Sequence, residues 1–387
     1  MTSVAKTWRA TPIFLAFLCM GFGDAVGPFV GLAKETFSLS NLEAQLIAFA
    51  GFIMFFFLSV PMGVFQDRRG KKYTLILGLF IALAGLIIPV IGGLQSYLLF
   101  LLTVLLLGAG ATILQVAGNP IMREVSPEGK YARNLALGQF VKAIGSLAGP
   151  LLVMAAARWW GMDWSILFPV FSTVLLVTII ITLFTPIREM RHANASTASF
   201  SSCLKLLSDK SVTMMVLGIF LYVGAEVCMS SGIPIYLNSE FGIDISSIGI
   251  GGVGLFFVSI MTGRFLGSLI LNWISARRFL LITVLVSIIG ILGLFSGNQI
   301  VGIASFVVIG LGFANIFPLI FSIAIDAMPE RSNELSGLMI MAIVGGAVMP
   351  PVMGLVADHS SVLIGFVVPL GCALYILWVA LRTLKTT

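Results

Sequence analysis

The chain is 387 residues long, 59% hydrophobic and only 10% charged, with a mean hydropathy of +1.10. Water-soluble domains carry about 25% charged residues, so most of this protein's surface must meet lipid rather than water. The net charge of +6 is no nucleic-acid footprint, because the bases lie in short loops on one side of the predicted membrane, and no nucleic-acid partner is expected.

A helix that crosses the hydrocarbon core needs about 20 mainly apolar residues. That rule predicts twelve spans, near 11–33, 44–65, 73–93, 97–121, 131–156, 164–185, 212–238, 246–272, 279–296, 300–325, 333–357 and 361–382. The first is too long for the apolar part of a signal peptide and contains Asp24, so it reads as a retained span. The longest polar connection, 186–211, divides the spans six and six. The expected organisation is an N-terminal bundle over 1–185, a cytoplasmic linker over 186–211 and a C-terminal bundle over 212–387.

All but four of the 22 Lys and Arg residues fall on one face. Lys34 and Arg158 lie on the other, and Lys142 and Arg264 lie inside spans. Such a bias marks the cytoplasmic side and places both termini there. Trp159, Trp160 and Trp164 then gather at the outer interface, where amphipathic rings are favoured. The four cysteines are scattered, and the two histidines, His192 and His359, sit in loops. These residues form neither a metal-ligand spacing nor a nucleophile–base pair, so neither enzyme activity nor a resident metal or cofactor is expected.

One stretch is written twice. Gln115 to Pro150 reads QVAGNPIMREVSPEGKYARNLALGQFVKAIGSLAGP, and Asn315 to Pro351 reads NIFPLIFSIAIDAMPERSNELSGLMIMAIVGGAVMPP. In both, an Asn and a Pro share an apolar segment (Asn119 and Pro120, Asn315 and Pro318), a Pro-Glu turn follows, and a glycine-bearing helix runs to a proline. Self-similarity at an offset of about 200 residues, inside apolar segments, is the mark of a duplicated transporter fold. The same offset relates Asp24 to Glu226 and Gln115 to Asn315.

Charges inside a membrane are costly and by default mark a substrate or ion pathway. Four are evident: Asp24 in the first span, Lys142 in the fifth, Glu226 in the seventh and Arg264 in the eighth.

The loop GVFQDRRGKK, Gly63 to Lys72, resembles the signature loop of the major facilitator superfamily. The resemblance implies a cytoplasmic latch at Gly63, Asp67, Arg68, Gly70 and Lys71, in which Asp67 pairs with cations or with the amino end of a neighbouring helix. Five further segments resemble the fucose–proton symporter family: the NP of the fourth span, RNLALGQFVKAIGSLAGP in the fifth, YVGAEV in the seventh, GRFLGSLI in the eighth and IVGGAVMPPVMGLVAD in the eleventh. Together they cover both halves.

This resemblance implies an all-α membrane protein of twelve transmembrane helices in two pseudo-symmetric six-helix bundles, the major facilitator fold. The first and fourth helices of each half would line a central cavity. It implies sugar uptake driven by a proton through alternating access, with Asp24 as the proton-linked acid and Gln139 as the family's glutamine of the fifth helix. The sequence departs from the family in carrying Gln115 where a second acid stands, in adding Lys142 one turn beyond Gln139, and in placing an acid, Glu226, where the family often has an amide.

The expected coupling residues are Asp24, Lys142 and Glu226. The expected sugar-binding residues are Gln115, Asn119, Gln139 and Asn315, with Tyr222 and Phe313 stacking on a sugar's apolar face. Burial opposes a charged carboxylate and a nearby cation favours it. If Lys142 reaches Asp24, the two alternate between an ion pair and a protonated acid with a freed lysine; the alternative is a static buried pair that fixes two helices. Glu226 is either a coupling or sugar-binding acid or the partner of a cation such as Arg264.

The expected protein is thus a monomeric importer of a hexose or deoxyhexose in a bacterial inner membrane, with H+ as coupling ion and Na+ as the variant. The alternatives are a sodium-coupled or uncoupled sugar transporter, a sugar-acid transporter, and a drug or lipid exporter of the same fold.

Overall fold

The computed structural model of the chain describes residues 3–25, 33, 36–39, 41–187, 189, 199–243 and 251–384. Among them no strand occurs. Lipid offers no hydrogen bonds, and a helix satisfies every backbone group within its own segment.

The first half holds α1 (Ser3–Ala25), α2 (Asn41–Arg69), α3 (Lys71–Gly92), α4 (Tyr97–Val125), α5 (Tyr131–Trp160) and α6 (Leu167–Phe184). A short α7 (Phe200–Leu206) lies in the linker region. The second half holds α8 (Lys210–Phe241), α9 (Gly251–Ile270), α10 (Ala276–Leu294), α11 (Gln299–Phe313), α12 (Ile316–Ala327), α13 (Ser332–Met341), α14 (Gly345–His359), α15 (Val362–Gly365) and α16 (Val367–Leu384). Ten helical stretches among the described residues are long and apolar enough to cross a membrane. Two shorter apolar helices, Ala10–Gly23 and Gly254–Ile270, occupy the places of the first and eighth predicted spans. The twelve spans are all represented. Residues 26–32 and 246–250, which the first and eighth predictions included, lie outside the described residues.

Three predicted spans are each built from two helices, the twelfth from α15 and α16. The tenth breaks at Asn315, between α11 and α12. The cause is Pro318, which has no N–H to return to the carbonyl of Ala314 four residues back. The eleventh is divided by a tight turn, Ala342–Val344, between α13 and α14. In the fourth span, Pro120 likewise leaves the carbonyl of Val116 without its helical partner, although α4 stays continuous. Both freed carbonyls are taken up by side chains from elsewhere. Ser336 Oγ donates to Val116 O at 2.7 Å, fully buried, and Arg264 Nε donates to Ala314 O at 3.4 Å.

The chain divides into two compact units. Unit 1 comprises Met1–Glu128, Val141–Leu204 and Pro329–Met341; unit 2 comprises Gly129–Phe140, Lys205–Met328 and Ala342–Thr387. The start of α5 therefore belongs to unit 2, and α13 belongs to unit 1.

Within unit 1, α3 and α2 pack on α4, and α13 packs on α2. The backbones of α1 and α5 touch directly: a Cβ at Gly145 would strike the carbonyl of Leu18, and one at Gly21 would strike the carbonyl of Lys142. Small residues at such crossings let helices in lipid gain close van der Waals contact. Unit 2 repeats the device between α8 and α14, where a Cβ at Gly345 would strike the carbonyl of Phe220. Large apolar side chains such as Phe49, Phe57, Ile91, Phe184 and Ile300 remain exposed, as a lipid-facing surface requires.

Candidate functional site

In unit 2 a polar site is assembled from α5, α8, α9 and the α11–α12 break. Glu226 on α8 and Arg264 on α9 face each other, with Arg264 Nη2 3.7 Å from Glu226 Oε1. Their side chains are 20% and 14% exposed, so the pair is largely withdrawn from solvent. Arg264 also donates through Nη1 to the carbonyl of Gln139 at 3.4 Å and through Nε to that of Ala314. Asn315 donates from Nδ2 to the carbonyl of Gly263 at 2.7 Å, which ties the helix break to the residue just before Arg264.

The Tyr222 hydroxyl, one helical turn before Glu226, lies beside both charges. Gln139 Nε2 and Asn315 Oδ1 are buried and form no hydrogen bond among the described residues, while Tyr222 Oη has only the two charges beside it to bond to. Buried polar atoms are normally partnered, and leaving one unpaired costs about 1–3 kcal/mol. Two such atoms in one neighbourhood leave the site short of hydrogen-bond partners.

The aromatic rings here divide into support and wall. Phe313 is fully buried and holds Tyr222 edge-on at 5.8 Å, with Phe256 behind it at 6.4 Å. In this conformer it supports Tyr222 rather than offering a free face. Phe140 packs on Phe265 at 5.3 Å, beside Gln139 and Arg264 in the chain.

The residues singled out in the first half lie in unit 1, apart from Gln139. Gln115 and Asn119 are both on α4, 2% and 0% exposed. Asp24 occupies the last turn of α1, and its side chain lies outside the described residues. The α1–α5 backbone contact at Gly21 and Lys142 stands one helical turn from Asp24. The two halves thus carry an acid at the same repeat position. Each half also carries a cation inside a span, Lys142 on the fifth and Arg264 on the eighth.

The loop between α2 and α3 is engaged with α13. Asp67 Oδ1 accepts from Asn333 Nδ2 at 2.8 Å, in the first turn of α13, and Gln66 Nε2 donates to Asn333 O at 3.4 Å. Gly63 makes room for this approach, since a Cβ there would stand 2.8 Å from Asn333 O. Gly70 turns the chain between α2 and α3 with φ +95°. Arg68 is exposed at the end of α2, whereas Lys71 is buried and ion-paired with Glu124 of α4. Glu189 accepts the backbone N–H groups of Lys71 and Lys72 at 2.7 and 2.8 Å, placing a carboxylate at the positive end of α3.

Several of these partners were invisible to span counting. Glu334, 2% exposed, pairs with Arg331 and accepts from Ser202 Oγ of α7. Cys203 beside it is wholly buried, and burial, aided by the Glu334 charge, pushes its thiol up to about 11. In unit 2, Asn272 Oδ1 accepts from Lys130 Nζ at 3.2 Å and Arg133 Nη1 at 3.3 Å. The available signal for Asn333 and Glu334 was polarity in the repeated stretch just after its Pro-Glu turn.

The sequence pattern of the Major Facilitator Superfamily matches residues 13–343 and, separately, 215–387. The chain is 32% identical over 417 residues to a Helicobacter pylori protein provisionally named a glucose/galactose transporter, covering all of this chain and 99% of that one. It is 29% identical over 389 residues to a glucose/galactose transporter of Brucella abortus, covering 95% and 92% of the two chains. A crystal structure of a variant of the Escherichia coli fucose:proton symporter superposes with a TM-score of 0.84 at 22% identity, over 98% of each chain. The first match runs through both halves and the second covers the C-terminal half again. The chain belongs to the Major Facilitator Superfamily.

Proposed function

We propose that this protein imports a hexose or deoxyhexose by proton symport with alternating access, as a monomer in a bacterial cytoplasmic membrane with both termini inside. The observation that carries the reading is the unit 2 site, where a carboxylate, a guanidinium, a phenol and two amides meet between apolar helices. A polyol presents donors and acceptors around a compact ring, and such a set of groups can satisfy both. The whole-length likeness to proteins named for glucose, galactose and fucose supports the same cargo class.

Coupling is assigned to the intramembrane acids. Protonation of Asp24 releases Lys142, and the bare α1–α5 crossing supports this pairing because it leaves no side chain between the two backbones beside it. Gln115 and Asn119 are the sugar-facing amides proposed for unit 1, and Gln139, Tyr222 and Asn315 those for unit 2. Asp67, with Gly63, Arg68, Gly70 and Lys71, forms the proposed latch, acting through Asn333.

The test is uptake of neutral hexoses into sealed proteoliposomes, with an imposed proton gradient and then with sodium alone. Proton-driven accumulation that collapses to equilibration in Asp24→Asn is the expected result. Equilibration by the unaltered protein would make it a uniporter, and accumulation with sodium alone would move the coupling site away from a proton switch. Uptake of no sugar under either condition would overturn the reading.

A further inference from the structure

Arg264 is a withdrawn cation with no short contact. Its three acceptors, Glu226 Oε1, Ala314 O and Gln139 O, stand at 3.7, 3.4 and 3.4 Å. A guanidinium offers five N–H donors, and charged hydrogen bonds usually close to about 2.7–2.9 Å. The donors are held at arm's length, beside Tyr222, whose hydroxyl lies against both charges, and Gln139, a residue only 3% exposed whose Nε2 has no hydrogen-bond partner among the described residues. An unspent amide donor beside a loosely held cation describes a place for oxygen atoms from a ligand.

Which oxygen-rich ligand is decided by Glu226. Alone, Arg264 would favour a carboxylate, since the forked guanidinium–carboxylate pair is among the strongest polar contacts in proteins. Glu226 cancels that preference. A substrate carboxylate entering the site would meet a fixed like charge in a low-dielectric setting, where repulsion is far less screened than in water. A neutral vicinal diol meets no such barrier: one hydroxyl accepts from Arg264 while its neighbour donates to Glu226, bridging the 3.7 Å gap. Discrimination of this kind needs a repulsive element as well as an attractive one.

We propose that Glu226 is the charge filter of the sugar site, holding Arg264 neutral towards the substrate so that neutral pyranoses enter and hexuronates are turned away. This rests on the sugar-transport reading above. It assigns Arg264 a substrate contact and Glu226 a specificity role in addition to any part in coupling.

The experiment is galactose counterflow in proteoliposomes, which needs no ion gradient, with three competitors: glucose, galacturonate and the neutral galacturonamide. In the unaltered protein, glucose and galacturonamide should compete and galacturonate should not, although the last two differ little in size. In Glu226→Gln, galacturonate should become a competitor, with an apparent affinity at least about tenfold better than towards the unaltered protein. The double variant Glu226→Gln/Arg264→Gln should lose that competition again.

Equal competition by galacturonate and galacturonamide in the unaltered protein would overturn the filter, and so would failure of both, which would mean exclusion by size. Galacturonate remaining excluded from a Glu226→Gln protein that still exchanges galactose would overturn it too. The unaltered-protein arm decides the matter even if Glu226→Gln does not fold. Absence of any galactose or glucose exchange by the unaltered protein would instead count against the transport reading itself.

Discussion

The two halves each free one helical carbonyl with a proline and use it differently. Pro120 frees the carbonyl of Val116, and Pro318 frees that of Ala314. In unit 1 the carbonyl receives a buried serine hydroxyl, Ser336, at 2.7 Å, a compact neutral bond that fastens α13 to α4. In unit 2 it receives the guanidinium of Arg264 at 3.4 Å, a long contact that holds a charge in place without consuming it. Duplication thus supplied one device, and divergence turned one copy to packing and the other to presenting a cation. The lesson is that a proline repeated in the sequence does not carry symmetry of chemistry with it.

The comparison breaks most readily at Arg264. Arg264→Leu leaves Glu226 in a withdrawn site without its cation, a class of change that costs about 3 kcal/mol or more. A lower melting temperature in detergent, together with loss of hexose exchange, is the expected pair of readouts. Normal exchange would remove Arg264 from the site.

A sharper test exchanges the prolines themselves. In Pro318→Ala, a restored N–H competes for the Ala314 carbonyl and displaces Arg264, so galactose affinity should weaken about tenfold, or 1.4 kcal/mol. Pro120→Ala should alter stability alone, because its carbonyl partner is a serine engaged in packing. Titration of both variants by counterflow decides between them, and equal losses of affinity would erase the distinction drawn here. Ser336→Ala is a smaller change, removing one neutral hydrogen bond worth about 1 kcal/mol. It should lower thermal stability slightly while the KM for hexose stays where it was.

The smallest expected effect concerns Cys203. With the thiol buried and pushed up to about 11, maleimide labelling at pH 7–8 should be slow. Glu334→Gln weakens the hold of Ser202 and Arg331 on α7 and should speed it. Fast labelling of the unaltered protein would mean that α7 does not stay docked.

Much of the architecture was legible because lipid imposes simple demands: apolar runs of spanning length, loop bases on one side, and a repeat whose prolines fall at matching places. The acids at 24 and 226 and the amides at 115 and 315 could be paired from the offset alone. The destinations of the freed carbonyls could not, since a proline announces a lost hydrogen bond but not the side chain that replaces it. The pairing of Lys71 with Glu124 and the burial of Glu334 were hidden for another reason. These residues sit at span ends, where a charged residue reads as solvated loop, yet Lys71 is only 6% exposed and Glu334 2%. The break at Asn315 was likewise masked by an unbroken apolar run on either side of it.

The exchange of segments between the two units has a consequence for biosynthesis. Unit 1 lacks a piece of itself, 329–341, until most of the second half has left the ribosome. At about 5–20 residues per second that delay is roughly 7–27 s. During it α2 has no α13 to pack on, and Asp67 has no Asn333. The N-terminal bundle is therefore provisional while the chain is being made, and its completion waits on nearly the last helices inserted.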